Sequence, residues 1–185
     1  MQNSTLIVPA TPAHVPALGA LARRTYTDAY GEEMNTHALQ AHLEVALTDE
    51  AIRRWLATGF VWLARAPEPG GRLLGFVQLG LVEPAYSASV STCAVCATDA
   101  QIHRLYILST HQNEGLGTRL LQTGLDAFHA HPAATRRQLF IDVWENNHGA
   151  QRLYARHGFE KVGAHPERDE QGHIVGHDLV LRLRP

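Results

Sequence analysis

Gln112-Asn113-Glu114-Gly115-Leu116-Gly117 lies between an apolar run and a helical pattern. Upstream, Ile102 to Leu108 reads as a strand; downstream, Leu116, Leu120, Leu121, Leu125 and Phe128 recur at helical spacing. A strand that ends in a glycine-bearing turn and opens a helix presents backbone N–H groups without intrahelical partners. Those donors, with the positive end of the helix dipole, suit a phosphorylated ligand. The competing reading is a tight turn that only glycine fits. Two nucleotide motifs are excluded: no Lys-Ser or Lys-Thr follows, as a Walker A loop requires, and Leu120 stands where the third glycine of Gly-x-Gly-x-x-Gly belongs.

A second segment runs from Asn147 to Phe159, after another strand-like run, Leu139 to Trp144. Asn147 suits a helix N-cap, because its side chain can accept from an orphan N–H. Ala150, Leu153 and Tyr154 fall on one helical face. Gly158 suits the left-handed position after the helix, and Phe159 opens the next strand.

The two segments together resemble a known family. Gln112-x-x-Gly115-x-Gly117 resembles the acetyl-CoA motif (Gln/Arg-x-x-Gly-x-Gly/Ala) of the GNAT N-acetyltransferases, and Asn147-x-x-Ala150-x-x-x-Tyr154-x-x-x-Gly158-Phe159 resembles their next block. The separation of the blocks also fits. The resemblance covers about residues 101–163 closely and the rest in element order. Fewer residues, His103 to Leu108 and Val143-Trp144-Glu145-x-Asn147, are similar to the branch that includes PaiA-type polyamine acetyltransferases.

The elements that must position these motifs read as a single domain, residues 1–185. Thr5 to Val8 is a first strand. Thr11-Pro12 starts a helix that carries Val15, Leu18, Leu21 and Ala22, with Pro16 able to delay or kink it. A second helical region spans about Thr36 to Ala57, broken near Thr48-Asp49, where Asp49 is a candidate cap. Phe60 to Ala66 and Leu73 to Val82 form a hairpin about Glu68-Pro69-Gly70-Gly71. Residues 83–100 are a flap or an extra strand. Ile174 to Leu183 is the last strand. Periodicity alone gives α/β or α+β; the GNAT resemblance implies a mixed, largely antiparallel central sheet flanked by helices, with splayed central strands.

Composition narrows the classes further. A formal charge of −2 and a 45% apolar content describe an ordinary globular chain and do not suggest a nucleic-acid partner. No run is long and apolar enough to span a membrane. No secretory signal is evident, and a cytoplasmic location follows by default. The cysteines form Cys93-Ala94-Val95-Cys96, readable as a redox or zinc pair or as two reduced thiols; with no fourth ligand obvious, no metal is expected. Nothing fixes the assembly beyond monomer or homodimer.

The resemblance implies acetyl-CoA as co-substrate and attack of a neutral amine on its thioester. Backbone groups of Tyr106, Ile107 and Leu108 would pair with the pantetheine arm. The N–H groups of Gln112, Asn113, Glu114, Gly115, Leu116 and Gly117 would hold the pyrophosphate, with the hydroxyl of Thr118. Asn147 would contact the cofactor near its thioester, cap its helix, or both. Tyr154, protonated at neutral pH, would be the general acid; the alternative is a core tyrosine. Gln101 occupies the place of the acid that many relatives carry, and an amide is no base. His103, Glu33 and Glu83 remain as candidates, as does the absence of any base. Tyr26, Tyr30, Glu32, Glu33 and Trp55 are candidates for binding the acceptor, a small-molecule amine, and an acid-plus-aromatic pocket would suit a polyamine. The alternatives are a protein or peptide acceptor, or a non-catalytic acyl-CoA-binding protein.

Overall fold

The computed structural model describes residues 5–32, 34–82, 93–131, 137–168 and 171–185. The elements follow as β1 (Leu6–Pro9), α1 (Val15–Tyr30), α2 (Thr36–Ala46), α3 (Asp49–Thr58), β2 (Phe60–Arg65), β3 (Leu73–Leu81), β4 (Ala100–Ile107), α4 (Leu116–Ala130), β5 (Leu139–Trp144), α5 (His148–Arg156), β6 (Phe159–Arg168) and β7 (Ile174–Leu183). The strands form one sheet in the order β1-β2-β3-β4-β5-β7-β6. β1–β2, β2–β3, β5–β7 and β6–β7 run antiparallel, and β4–β5 runs parallel. The β4–β5 register joins Ala100–Ile102 to Leu139–Ile141, although β4 continues to Ile107. This is the mixed sheet with flanking helices that the motifs implied.

Contacts divide the chain into two compact units, residues 1–79 with 104–125 and residues 80–103 with 126–185. In the first unit, Val15, Leu18 and Leu21 of α1, Ile52 and Trp55 of α3, Leu63 of β2 and Phe76 of β3 share one core. Pro12 to His14 form a 3-10 turn before α1, so Pro16 enters the α-helix in its first turn, where no N–H bond is lost. The expected break near Thr48-Asp49 is present, and one local expectation shifts. The long helical region is two helices, and Thr48, not Asp49, caps the second by accepting from the Ala51 N–H (3.1 Å). Asp49 takes the next position, where its charge still complements the helix dipole. At Gly75 a Cβ would lie 2.7 Å from the Tyr106 carbonyl oxygen, so only glycine lets β3 approach β4 there.

In the second unit Val82, Phe140, Val162 and Val180 form the core, with Cys93 and Val95 packed against it. Trp144 of β5 lies over Gly176 of β7, where a Cβ would come within 1.9 Å of Cη2. Of the expected flap or extra strand, residues 83–100, residues 83–92 lie outside the described residues, and 93–99 form neither helix nor strand before β4 begins at Ala100. Among the described residues no helix is long and apolar enough to cross a membrane, and no group of three or more His, Cys, Asp or Glu side chains is arranged to hold a metal. Cys93 and Cys96 are free thiols.

Candidate active site

The turn between β4 and α4 lies in the first unit. Its approach is tightly bonded. The Leu108 N–H donates to the Leu74 carbonyl (2.9 Å), and the Leu108 carbonyl accepts from His111 N–H (2.8 Å). Both backbone groups of Leu108 thus hold a bond within the chain. Beyond a 3-10 turn, Ser109–His111, the backbone enters the left-handed region twice, at Asn113 (φ 63°) and Gly115 (φ 78°). Helix α4 then begins, and the Arg119 N–H bonds to the Gly115 carbonyl (3.2 Å). By helix geometry the N–H groups of Leu116, Gly117 and Thr118 precede that ladder.

Gln112, Asn113, Glu114, Gly115 and Thr118 are exposed, Gly117 is half-buried, and the Leu116 side chain is buried as an anchor. A Cβ built on Gly115 meets nothing within 4 Å. The turn is open, and it combines left-handed residues with helix-start amides, an arrangement that builds anion-binding concavities. It fits a diphosphate. Arg119 reaches back to the Thr5 carbonyl (2.6 Å), and Arg72 contacts His111 (3.3 Å), so cationic groups lie on the same unit.

Helix α5 lies in the second unit. Asn147 Oδ1 accepts from the Ala150 N–H (3.0 Å), so the capping role is met. Gln151 Nε2 donates to the Trp144 and Glu145 carbonyls and holds the end of β5 to the helix. Tyr154 is 5% exposed, and its ring centroid lies 6.0 Å from that of Phe159. Gly158, at φ 89°, ends the helix as its type predicts.

Gln101 and His103, weighed for proton transfer, belong to the same unit. Gln101 is buried, and its Nε2 donates to Asp142 Oδ2 (3.1 Å). His103 Nε2 lies 3.0 Å from the Leu81 carbonyl oxygen; a carbonyl only accepts, so that nitrogen carries the proton. Glu33 and Glu83 lie outside the described residues. Asp142 also lies 3.7 Å from His165 Nε2. Asp178 stands opposite Trp144 on one side and His165 on the other. Burial first, then the Glu167 and Asp142 charges, then a hydrogen bond with Glu167, push its carboxyl up to about 7. Asp142 and Asp178 escaped the sequence reading. Their signal was a lone acid in each of two apolar strands, Leu139–Trp144 and Ile174–Leu183, but the register that joins them is non-local.

A model of the acetyltransferase (GNAT) family matches residues 17–159. The chain belongs to that family. GNAT enzymes transfer an acetyl group from acetyl-CoA, and an N-acetyltransferase activity follows for this chain. It is 23% identical over 161 residues, 86% of each chain, to an uncharacterized N-acetyltransferase in the pepI 3′ region of Lactobacillus delbrueckii subsp. lactis. Its fold is similar to that of the PaiA N-acetyltransferase from Thermoplasma acidophilum in complex with coenzyme A. That match has a TM-score of 0.68 at 15% identity and covers 98% of this chain and 99% of that one. It is also similar to ribosomal-protein-alanine N-acetyltransferase from Brucella melitensis, with a TM-score of 0.63 at 22% identity, covering 96% and 98%.

In this GNAT chain Tyr26, Tyr30, Glu32 and Trp55, the described residues weighed for the acceptor, belong to the first unit. The Tyr26 ring centroid lies 4.7 Å from Tyr30 and 4.1 Å from His42, with which it stacks at 8°. Trp55 is buried, and the Arg104 guanidinium lies 4.1 Å over its ring. Glu32 is exposed to solvent. Tyr26, Tyr30 and His42 form one aromatic set, and an arginine lies over Trp55.

Proposed function

We propose that the chain transfers the acetyl group of acetyl-CoA to a primary amine of a small molecule. The observation that carries the cofactor half is the open amide turn at Gly115. Backbone N–H groups from Asn113 to Thr118 would hold the pyrophosphate, because several converging donors replace the water that two phosphates lose. Tyr106 and Ile107 would pair with the pantetheine arm. Bound there, acetyl-CoA supplies the activated acyl group.

The remaining chemistry belongs to side chains. Only an unprotonated amine is nucleophilic, and the departing thiolate needs a proton. The Tyr154 phenol, protonated at neutral pH, is assigned the donor role. Gln101 accepts no proton; Asp142, to which it donates, and Asp178 beyond it are the carboxylates that we set against the acceptor's proton. Asn147 caps α5 and so fixes the helix that carries Tyr154. The aromatic set of α1–α3 supports a small acceptor. The similarity to a ribosomal-protein-alanine N-acetyltransferase favours a second reading, in which the amine is a peptide N-terminus.

The test is free-thiol release from acetyl-CoA with a panel of small amines, beside peptides with free N-termini. Tyr154→Phe should lower kcat at least about 100-fold and leave acetyl-CoA affinity within about threefold. Equal losses in both would make the tyrosine structural. Tight cofactor binding without turnover on any amine or peptide would leave a non-catalytic acyl-CoA-binding protein.

A further inference from the structure

Trp144 and Asp178 end the β5–β7 ladder, and the chain must leave the sheet there to open α5 at His148. It leaves by an exchange of acceptors. An antiparallel pair of the hydrogen-bonded kind trades two backbone bonds. Glu145 keeps one of them, its N–H donating to the His177 carbonyl (3.0 Å). The His177 N–H goes instead to Oε1 of the Glu145 carboxylate (3.0 Å), and Oε2 lies 3.5 Å from Nδ1 of the same histidine. The side chain thus stands in for its own backbone carbonyl. That carbonyl accepts from Gln151 Nε2 of α5 (2.7 Å), which also donates to the Trp144 carbonyl (3.1 Å). Glu145 therefore holds β7 with its carboxylate and α5 with its carbonyl.

The helix needs such a hold. Nine residues are too few to keep a helix ordered in water without tertiary contacts. The Asn147 cap bonds within the turn that opens α5, so it starts the helix but leaves it able to roll against the sheet. Gln151 opposes that roll. It precedes Tyr154 by three residues, and side chains at that spacing are neighbours on one helical face. Tying Gln151 to β5 therefore sets the direction in which Tyr154 leaves the helix.

We infer that Glu145 and Gln151 are positioning residues for Tyr154: the Glu145 carboxylate releases a backbone carbonyl from the sheet, Gln151 takes it, and the bond fixes the place of the phenol. The effect on rate rests on Tyr154 as the proton donor; the placement can be read without any reaction.

Methionine resembles glutamine in length and helix preference but donates no hydrogen bond. Gln151→Met should lower kcat at least about tenfold, part of what a misplacement of about 1 Å can cost, and leave acetyl-CoA affinity within about threefold. Glu145→Met, which leaves the His177 N–H without its acceptor, should act in the same direction. Glu145→Gln keeps an oxygen there and should stay within about threefold of wild type. In a Tyr154→Phe background the loss from Gln151→Met should shrink to less than about threefold, because residues that act as a unit are not additive. An undiminished loss there, or an equal loss of cofactor affinity, overturns the inference. If Tyr154→Phe alone leaves kcat unchanged, the proton-donor reading fails, and placement is decided by fluorine NMR of the chain labelled with 3-fluorotyrosine. Tyr154→Phe assigns the signal by its loss. Gln151→Met should shift it and Glu145→Gln should not, with thermal melts confirming that each variant folds. A Tyr154 signal that Gln151→Met leaves in place sinks the inference, with or without turnover.

Discussion

Asp178→Asn separates electrostatics from packing in the second unit. Asp178 lies between Trp144 of β5 and His165 of β6, with Glu167 and Asp142 as its acidic neighbours. A hydrogen bond between two carboxyl groups requires a proton, and burial with the Glu167 and Asp142 charges favours keeping it on Asp178, whose pKa rises from 3.8 to about 7. A raised folded-state value means that the folded chain binds more protons than the unfolded one between about pH 4 and pH 7. Stability tied to this group is thus fully present below about pH 4, is lost as pH climbs to about 7, and changes little beyond. The shift spans about three units at about 1.4 kcal/mol each, and solvent screening at a partly exposed group reduces the cost to roughly 1–2 kcal/mol. Asparagine keeps the shape and can donate to Glu167 without ionising. The variant should match wild type in urea unfolding at pH 4 and exceed it by roughly 1–2 kcal/mol at pH 8. In a melt that is roughly 2–8 °C for a chain of this size. The same gain at both pH values would mean packing rather than charge, and no gain at pH 8 would refute the reasoning.

Three further substitutions probe the site from other sides. Gly115→Ala places a methyl group in open space at φ 78°, so only backbone strain acts; it should cost about 1 kcal/mol in urea unfolding and weaken acetyl-CoA binding in titration. A much larger stability loss would mean that the turn is packed. Gly176→Ala sets a Cβ within 1.9 Å of Trp144 Cη2, which should cost about 1–3 kcal/mol and shift tryptophan fluorescence; an unchanged melt and spectrum would place that ring elsewhere. Gln101→Glu restores an acid at the position where many relatives carry one, but buries it beside Asp142, so it should destabilise the chain more at pH 8 than at pH 5 and should not raise the rate. A faster enzyme of equal stability would contradict the hydrogen bond to Asp142.

What could be read beforehand was local. The Gly115 turn, the Asn147 cap and the Gly158 terminus follow from one residue's conformational range or one side chain's reach, and each is where its type predicts. The apolar period of α4 is equally local: Leu116, Leu120, Leu121, Leu125 and Phe128 are all buried. Errors arose where neighbours compete. Thr48 and Asp49 both suit a cap, and the helix uses the first and leaves the second for its dipole. Leu108 was expected to pair with a cofactor from sequence position alone, and its N–H donates to Leu74 while its carbonyl accepts from His111, bonds that the sequence does not record.

The candidate acid–base residues show the harder limit. Sequence offers Gln101 as a substitution for an acid and His103 as its nearest titratable neighbour, because both are close along the chain. Register adds two candidates from farther along the chain. Parallel pairing sets Gln101 opposite Phe140, two residues before Asp142, and antiparallel pairing brings Asp178 opposite Trp144. A one-residue slip in either ladder would turn these side chains to the other face of the sheet. His103, meanwhile, has one ring nitrogen held to the Leu81 carbonyl. Motif spacing records what a strand presents along itself. It does not record what the next strand brings beside it, and the two candidate carboxylates, Asp142 and Asp178, come from that second source.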